Sequence, residues 1–412
     1  MASRPLRILL LNQAFHPDHV ATALVLSDFA RALVKRGHDV TAVSSSRGYD
    51  AAAQRYAAEE EWHGVKIRRI WTPGLGKSRK WRRLADFAAF WISAIWILMK
   101  LPRFDVTVCL TSPPLISTLG TFMAVMKGGR VVPWIMDLNP DEAVAAGWLR
   151  EGGLPERLMT TLQNWSFSMA ARIIVLDRFM AERLRKKGVA EDVIHVDPPW
   201  SHDQIVSYDV EARNRFRTEH GLTGKFVVMY SGNHSPCHPL DTVLAAAEAL
   251  AGDSDIHFLF VGGGSEFAKV RAFAETRRLA NVTALPYQPV EALSGSLAAA
   301  DLHLVVMGDA FVGIVHPCKI YNILSLGIPF LFIGPGESHV GDLTAILGDP
   351  CFCLRARHGD TEGVVRQIRA AKQRRAKVPD DKARALAAAF SQQRLCGRLT
   401  ELIELTGAAP LT

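Results

Sequence analysis

The stretch FVGIVHPCKIYNILSLGIP, Phe311 to Pro329, decides how this chain is read. The apolar run before it, Leu302 to Met307, predicts a buried strand. A loop carrying Gly313 follows. It leads into a helical pattern that begins near Pro317, has Lys319 in its first turn and stops at Gly327. Ile328 to Ile333 then predicts another strand. A helix N-terminus presents unpaired N–H groups, and a lysine beside it adds positive charge, so the segment suits a phosphate or diphosphate. Asn322, one turn further on, lies near the same end and suits a ribose hydroxyl. The expected ligand is linked to a nucleotide.

Working outward, the second half repeats one grammar from Lys225 onward. Its expected strands are Phe226 to Tyr230, His257 to Val261, Asn281 to Leu285, Leu302 to Met307 and Ile328 to Ile333, with helical runs between them. The first half follows the same rule. Leu6 to Leu11 reads as a strand, and a polar loop from Asn12 to Ala21 carries His16, Pro17, Asp18 and His19. A helix follows, with its apolar face on Leu26, Phe29, Ala30, Leu33 and Val34. Val40 to Val43, Val106 to Leu110, Val131 to Met136 and Arg172 to Leu176 supply further strands. Near-continuous apolar strands alternating with helices indicate parallel sheets covered on both faces.

The fold class expected is therefore α/β, with two doubly wound, Rossmann-like domains facing a central cleft. The first is expected over 1–205 and the second over 206–387, joined where VDPPWSHDQIVSY breaks both periodicities. The final helical stretch, Asp381 to Leu405, is expected to pack near the domain junction, with about 388–412 returning to the first domain. In such folds ligands bind beyond the carboxyl ends of the strands.

At 412 residues the chain exceeds one ordinary core, and its composition is that of a globular protein. The apolar run in MASRPLRILLLNQAF is too short for a signal-peptide core and reads as a first strand. The six cysteines are scattered apart from Cys351 and Cys353, and no zinc spacing appears, which suits a reducing cytoplasm. His234 and His238 have a metal-like spacing, but Pro236 and Pro239 place them in a loop. A net charge of +7 suits an anionic surface; without an aromatic-basic sheet motif or zinc finger, nucleic acid is the weaker reading.

Residues 76–104, GKSRKWRRLADFAAFWISAIWILMKLPRF, stand apart. The apolar run Phe87 to Met99 spans about 20 Å as a helix, short of the ~30 Å hydrocarbon core. Trp81, Arg82, Arg83, Trp91 and Trp96 instead suit a helix lying on an anionic membrane. The competing reading is a core helix with a solvated basic cap.

With these segments in hand, the chain resembles retaining glycosyltransferases of family 4, which have the GT-B fold, and among them the bacterial exopolysaccharide and O-antigen (colanic-acid type) subgroup. The resemblance runs over nearly the whole chain. It is carried in order by FHPDHVATALVLSDFARALVKRGHDV, YSGNHSPCHPLDTVLAAA, FVGGGSE, NVTALPYQPVEAL, AAADLHLVV and HPCKIYNILSLGIP. It implies a nucleotide-sugar donor on the second domain, an acceptor on the first, and no metal or other cofactor.

By that resemblance, Gly313, Ile314 and Val315 offer backbone N–H groups to the donor diphosphate and Lys319 adds charge. Gly232, Asn233, His234 and His238 form the loop opening the second domain, with the two histidines supplying phosphate charge or simple loop hydrogen bonds. Tyr287 and Gln288 lie near the base. Asp137, in PWIMDLNPD, contacts the transferred sugar or the acceptor, or else caps the helix after Pro140. His16 and Asp18 face the acceptor or form a turn. Where the family has a Glu-x7-Glu pair, this chain has Ile314 and Asn322. The first loop has Asp18, His19 and Val20 in place of Gly-Gly, and basic residues after Gly232-Asn233 are absent.

The implied activity is retaining transfer of a hexose from a nucleoside-diphosphate sugar, UDP foremost, to a lipid-linked or glycan acceptor. The expected location is the cytoplasm, peripheral on the inner face of the cytoplasmic membrane. The alternatives are a nucleotide-sugar epimerase on the same fold, or a non-catalytic homologue that binds glycan or nucleotide.

Overall fold

A computed structural model describes residues 4–49, 54–71, 80–201, 205–374 and 378–409, with the side chains of Lys80, Arg83, Leu84 and Phe87 outside that description. Contacts divide the chain into two units, one of Met1–Pro199 with Gln393–Thr412 and one of Trp200–Gln392. The join lies a few residues before the expected one because Ser201 already belongs to the second unit, its N–H donating to Phe390 O at 2.9 Å.

In the first unit, β1 (Arg7–Leu11), β2 (Asp39–Ser45), β3 (Glu59–Trp62), β4 (Val65–Ile70), β5 (Val106–Cys109) and β6 (Arg130–Pro133) form one sheet in the order β3-β4-β2-β1-β5-β6. Every pair is parallel except the β3–β4 hairpin. β1 is central and almost wholly buried, as its unbroken run of leucines requires. Helix α1 (Ala21–Lys35) buries Val25, Leu26, Phe29, Ala30 and Leu33, the face set by their spacing. Helices α2 (Lys80–Lys100) and α3 (Ile116–Lys127) send Phe90, Ala94, Leu98, Ile116, Leu119 and Met123 into one core with the sheet. A short helix α4 (Asp141–Ala145) and the longer α5 (Leu154–Ser168) follow. The segment expected as one more strand of this sheet instead pairs as β7 (Ile173–Val175) with β8 (Ile194–Val196), tied to the main sheet's end by a Trp134–Ile174 bridge.

The second unit holds a wholly parallel sheet. Its strands are β9 (Phe226–Asn233), β10 (Ile256–Gly263), β11 (Val282–Leu285), β12 (Leu302–Val306), β13 (Phe330–Ile333) and β14 (Cys353–Ala356), in the order β11-β10-β9-β12-β13-β14. The winding reverses between β9 and β12. The carboxyl ends of these two strands therefore diverge around a crevice, where doubly wound sheets hold ligands. The first unit has the corresponding reversal between β1 and β5.

The helix Gln392–Ala408 belongs mainly to the first unit. Glu404 bonds Arg36 and His38 at 3.0 Å each, and Arg130 donates to Ala409 O at 2.7 Å. The expected single helix from Asp381 is broken. Asp381–Ala387 passes through a short 3-10 turn to Ser391, whose extended backbone (ψ 147°) ends it.

Candidate functional site

The best-defined site lies at the reversal point of the second unit. β12 runs out at Val306, and the helix Lys319–Leu326 returns from the loop beyond it. That helix is anchored by Ile320, Tyr321, Ile323 and Leu324 in a core with Phe330, Phe332 and Val340. Gly327, at φ 63°, closes it. No side chain caps its N-terminus. The anchoring leaves Lys319 on the opposite face, directed at the end of β9.

Lys319 is half-exposed as a residue, yet its Nζ is shut off from solvent and has no hydrogen-bond partner among the described residues. The amine lies 3.5 Å from the centre of the Tyr230 ring, a cation–π contact. Burial pushes the ammonium down to about 7. A cation at a helix N-terminus also opposes the helix dipole. Desolvation, dipole and the empty hydrogen-bond shell all favour an anion arriving here.

The walls are rigid and glycine-lined. Gly232, at φ 129°, ends β9 so close to Lys319 that a Cβ would lie 3.3 Å from both Cε and Nζ. A Cβ on Gly262 would stand 2.0 Å from Gly232 O. The ends of β9 and β10 can approach this closely only because neither residue has a side chain. His234 donates Nδ1–H to Gly232 O at 3.0 Å and its backbone N–H to Gly263 O at 2.7 Å. His238 donates Nδ1–H to Val306 O at 2.7 Å, and Gly308 N bonds Cys237 O at 2.9 Å. The loop is thus stitched to three strand ends.

The carbonyl partners fix each imidazole's tautomer, since a carbonyl only accepts. Burial, reinforced by Lys319, pushes His234 down to about 4 and His238 to about 3. Burial favours the neutral imidazoles, and loop hydrogen bonding, one of the two roles expected for this pair, is the contact each makes. Lys319 is the cation of this cluster.

The loop amides are bonded within their own turn. Ile314 N and Val315 N, expected to face a diphosphate, donate to Phe311 O at 3.0 and 3.2 Å in a tight turn. Gly313 supplies the positive φ of 69° that the turn requires. Tyr287 is exposed, with its ring edge against Gly263 at the rim of the β10 end. Gln288 turns back to donate to Pro286 O at 2.9 Å. Asn322 is half-buried one turn beyond Lys319.

His316 and Tyr321 were not singled out in the sequence, nor was His339. Their geometry is compact: the buried Tyr321 hydroxyl lies 2.7 Å from His316 Nε2 and 2.8 Å from His339 Nε2. The His-x4-Tyr spacing across the helix start was the available signal.

In the first unit, Asp137 follows β6 by four residues. It does not cap the next helix, whose N-cap is Pro140 without a side-chain bond. Desolvation, with Glu142 adding repulsion, raises its carboxyl to about 8, which favours the protonated form. Asp18 accepts from Tyr49 N at 3.1 Å and Tyr56 O–H at 3.0 Å, which makes it an anchor of its loop. His16 stacks on Trp62 with ring centres 4.1 Å apart. Burial lowers its pKa.

On α2, Trp81 and Trp96 are exposed, with Arg82 over the first ring and Lys100 over the second. Trp91, expected on the same outer face, is half-buried against the sheet core and belongs to packing. Lys77 and Arg79 lie outside the described residues, as does the side chain of Arg83.

Two doubly wound units, each with its own reversal of winding, are the α/β architecture of the GT-B class. Residues 21–200 match the glycosyl transferase 4-like domain. It is 25% identical over 382 residues to WcaI of Escherichia coli (strain K12), which is named for glycosyl transfer in colanic acid biosynthesis. That match covers 89% of this chain and 92% of WcaI. Among solved structures, it is similar to the sucrose-phosphate synthase of Thermosynechococcus elongatus at a TM-score of 0.74 and 14% identity, covering 99% and 100% of the two chains. It is also similar to Anabaena HepE in complex with UDP and glucose, at a TM-score of 0.72 and 15% identity, covering 97% and 100%.

Proposed function

We propose that this protein transfers a hexose from a nucleoside-diphosphate sugar, most naturally a UDP-sugar, to a lipid-linked or glycan acceptor in bacterial surface-polysaccharide synthesis. The observation that carries the reading is the enclosed Lys319 amine, without a hydrogen-bond acceptor, between the ends of β9 and β12. A diphosphate placed there gives the amine oxygen acceptors and completes its protonation. The charge that develops on the leaving diphosphate then meets a fixed cation and a helix N-terminus. WcaI's name supports the polysaccharide setting, and the UDP and glucose held by HepE support the donor class.

Retention of configuration fits attack on the sugar face that the diphosphate leaves, with a departing phosphate oxygen taking the acceptor's proton. Asp137 in its protonated form can donate one hydrogen bond and accept others, which suits a sugar hydroxyl. Asn322 in place of a carboxylate makes a neutral contact to a ribose hydroxyl. Seating on the inner face of the cytoplasmic membrane is supported by exposed Trp81 and Trp96 beside basic residues.

Incubation with radiolabelled UDP-sugars and membrane extract tests the reading. Label passing into lipid or glycan supports it. Isomerised donor without transfer identifies an epimerase, and UDP binding without turnover identifies a non-catalytic binder.

A further inference from the structure

The first unit carries more exposed apolar surface than α2 alone accounts for. On α2, Ile92, Ile95, Trp96 and Met99 face outward, Ile92 at 71% and Trp96 at 65% exposure. On α3, Phe122, Val125 and Met126 do the same. On α5 a longer stripe begins at Leu154 and continues through Leu158, Leu162 and Trp165 to Met169 just past its end. The spacings of four, four, three and four residues put all five on one side of the helix.

These stripes lie side by side. α2 and α3 pack on the same sheet face. Lys127, the last residue of α3, donates its amine to the Leu98 and Met99 carbonyls at 3.0 and 2.8 Å, tying the two helix ends together. α5 is joined to α3 through Thr121 and Ser166, whose hydroxyls lie 2.9 Å apart and are buried. Contiguous exposed apolar surface of this extent marks an interaction site.

We propose that α2, α3 and α5 together form one seating face for an anionic lipid bilayer, with α5 as a second anchor alongside α2. Charge complementarity selects this occupant. With the Lys127 amine taken up by carbonyls, the three helices still hold five basic residues, Lys80, Arg82, Arg83, Lys100 and Arg157, against the two acids Asp86 and Glu156. The α2 bases stand at the two ends of that helix, and the exposed apolar residues lie between them. That arrangement lets cations reach headgroups while Trp96 and Trp165 sit at the hydrocarbon boundary. Among the described residues no helix is long and apolar enough to cross a membrane, so the helices lie in the plane. The proposal rests on the membrane placement in the reading above and is independent of the transfer chemistry.

Co-sedimentation with vesicles of 30% phosphatidylglycerol in phosphatidylcholine, and with phosphatidylcholine alone, tests it on the full chain. The unmodified protein is expected to bind the anionic vesicles. Leu158→Ser with Trp165→Ser on α5 is expected to weaken partitioning at least tenfold, as does Ile92→Ser with Trp96→Ser on α2. Both variants should keep the UDP-induced rise in Tm, because the donor site lies in the other unit. Leu162→Gln alone, which keeps a good helix former, serves if the double variant folds poorly and should weaken binding severalfold. If only the α2 variant loses binding, the three-helix face is overturned and α2 alone is the anchor. If the unmodified protein ignores both vesicle types, the proposal fails outright. In that case, self-association abolished by the α5 changes assigns the face to a second copy.

Discussion

The Lys319 amine rests 3.5 Å above the Tyr230 ring, so this cation at the second unit's reversal point is held by a π-face and, among the described residues, not by an acid. An acidic partner would neutralise it; a ring leaves its charge available to a ligand. The neighbouring titratable groups are His234, His238 and His303, each lowered by burial with Lys319 contributing, together with Cys318 on its own helix.

Under the proposed function, this relationship sets how donor binding depends on pH. With the free ammonium near 7, part of the population is neutral at physiological pH, and a bound diphosphate drives it back to the charged form. Binding is therefore expected to take up a proton above pH 7, and UDP affinity to fall as pH rises from about 7 to 9. Titration calorimetry in buffers of different ionisation enthalpy counts that proton. Lys319→Met should lose both the proton uptake and most of the affinity; an affinity independent of pH in the unmodified protein would remove Lys319 from the diphosphate site.

Gly262 tests the packing of the two strand ends. Its φ of 142° is strained for any residue with a side chain, and an added Cβ would stand 2.0 Å from a backbone oxygen that cannot swing away. Gly262→Ala is expected to destabilise the second unit by on the order of 3 kcal/mol, combining backbone strain with overpacking. Urea unfolding measures it. A midpoint equal to that of the unmodified protein would mean that β9 and β10 separate at their ends more freely than the geometry implies.

Tyr321 lies between two imidazoles, and a hydroxyl has a single proton, so one histidine must donate to it while the other accepts. Tyr321→Phe keeps the ring in its core with Phe390 and removes both bonds. The expected cost is about 1–3 kcal/mol. Because the helix start that carries Lys319 is braced by this trio, the UDP-induced Tm shift should shrink as well. A stability loss without any change in the UDP response would confine the trio to packing.

Much of this was readable from residue order, and the failures have physical causes. The strand-loop-helix at 302–327 was legible because apolar runs and a C-terminal glycine are local signals. The β4 strand, VKIRRI, was not, because its charges mask an interior strand: Arg69 is enclosed by pairing with Glu60 and Ala57 O. Tyr230 as the partner of Lys319 was invisible, since the two meet only when β9 and the 319–326 helix are brought together. The loop placing His234 and His238 was evident from its prolines, but their neutrality follows from burial that composition does not report. The α5 stripe illustrates a further limit. Periodicity gives a helix an apolar side without saying whether a core or solvent lies opposite, and here Gln163, Ser166 and Phe167 point inward while leucines point out.

Asp137 bears on stability and, under the proposed function, on turnover, and the two separate by substitution. Its carboxyl is raised from 3.8 to about 8 in the folded chain. Between those values the folded state keeps a proton that the unfolded state has lost, so this residue's contribution to stability declines as pH rises from about 4 to 8. Asp137→Asn has no proton to lose. Its Tm relative to the unmodified protein should therefore climb across that window, and a constant difference would mean that the carboxyl ionises freely. In catalysis, a neutral acid that donates to a sugar hydroxyl is well imitated by an amide, which also donates and accepts. Asp137→Asn is accordingly expected to retain most of the turnover, while Asp137→Ala falls by about 100-fold, in the range of a lost acid–base or positioning contact. If Asn and Ala fall together, the ionised carboxylate is the working form. Asp137 would then act as a proton acceptor, with the acceptor sugar or a nearby cation lowering its pKa on binding.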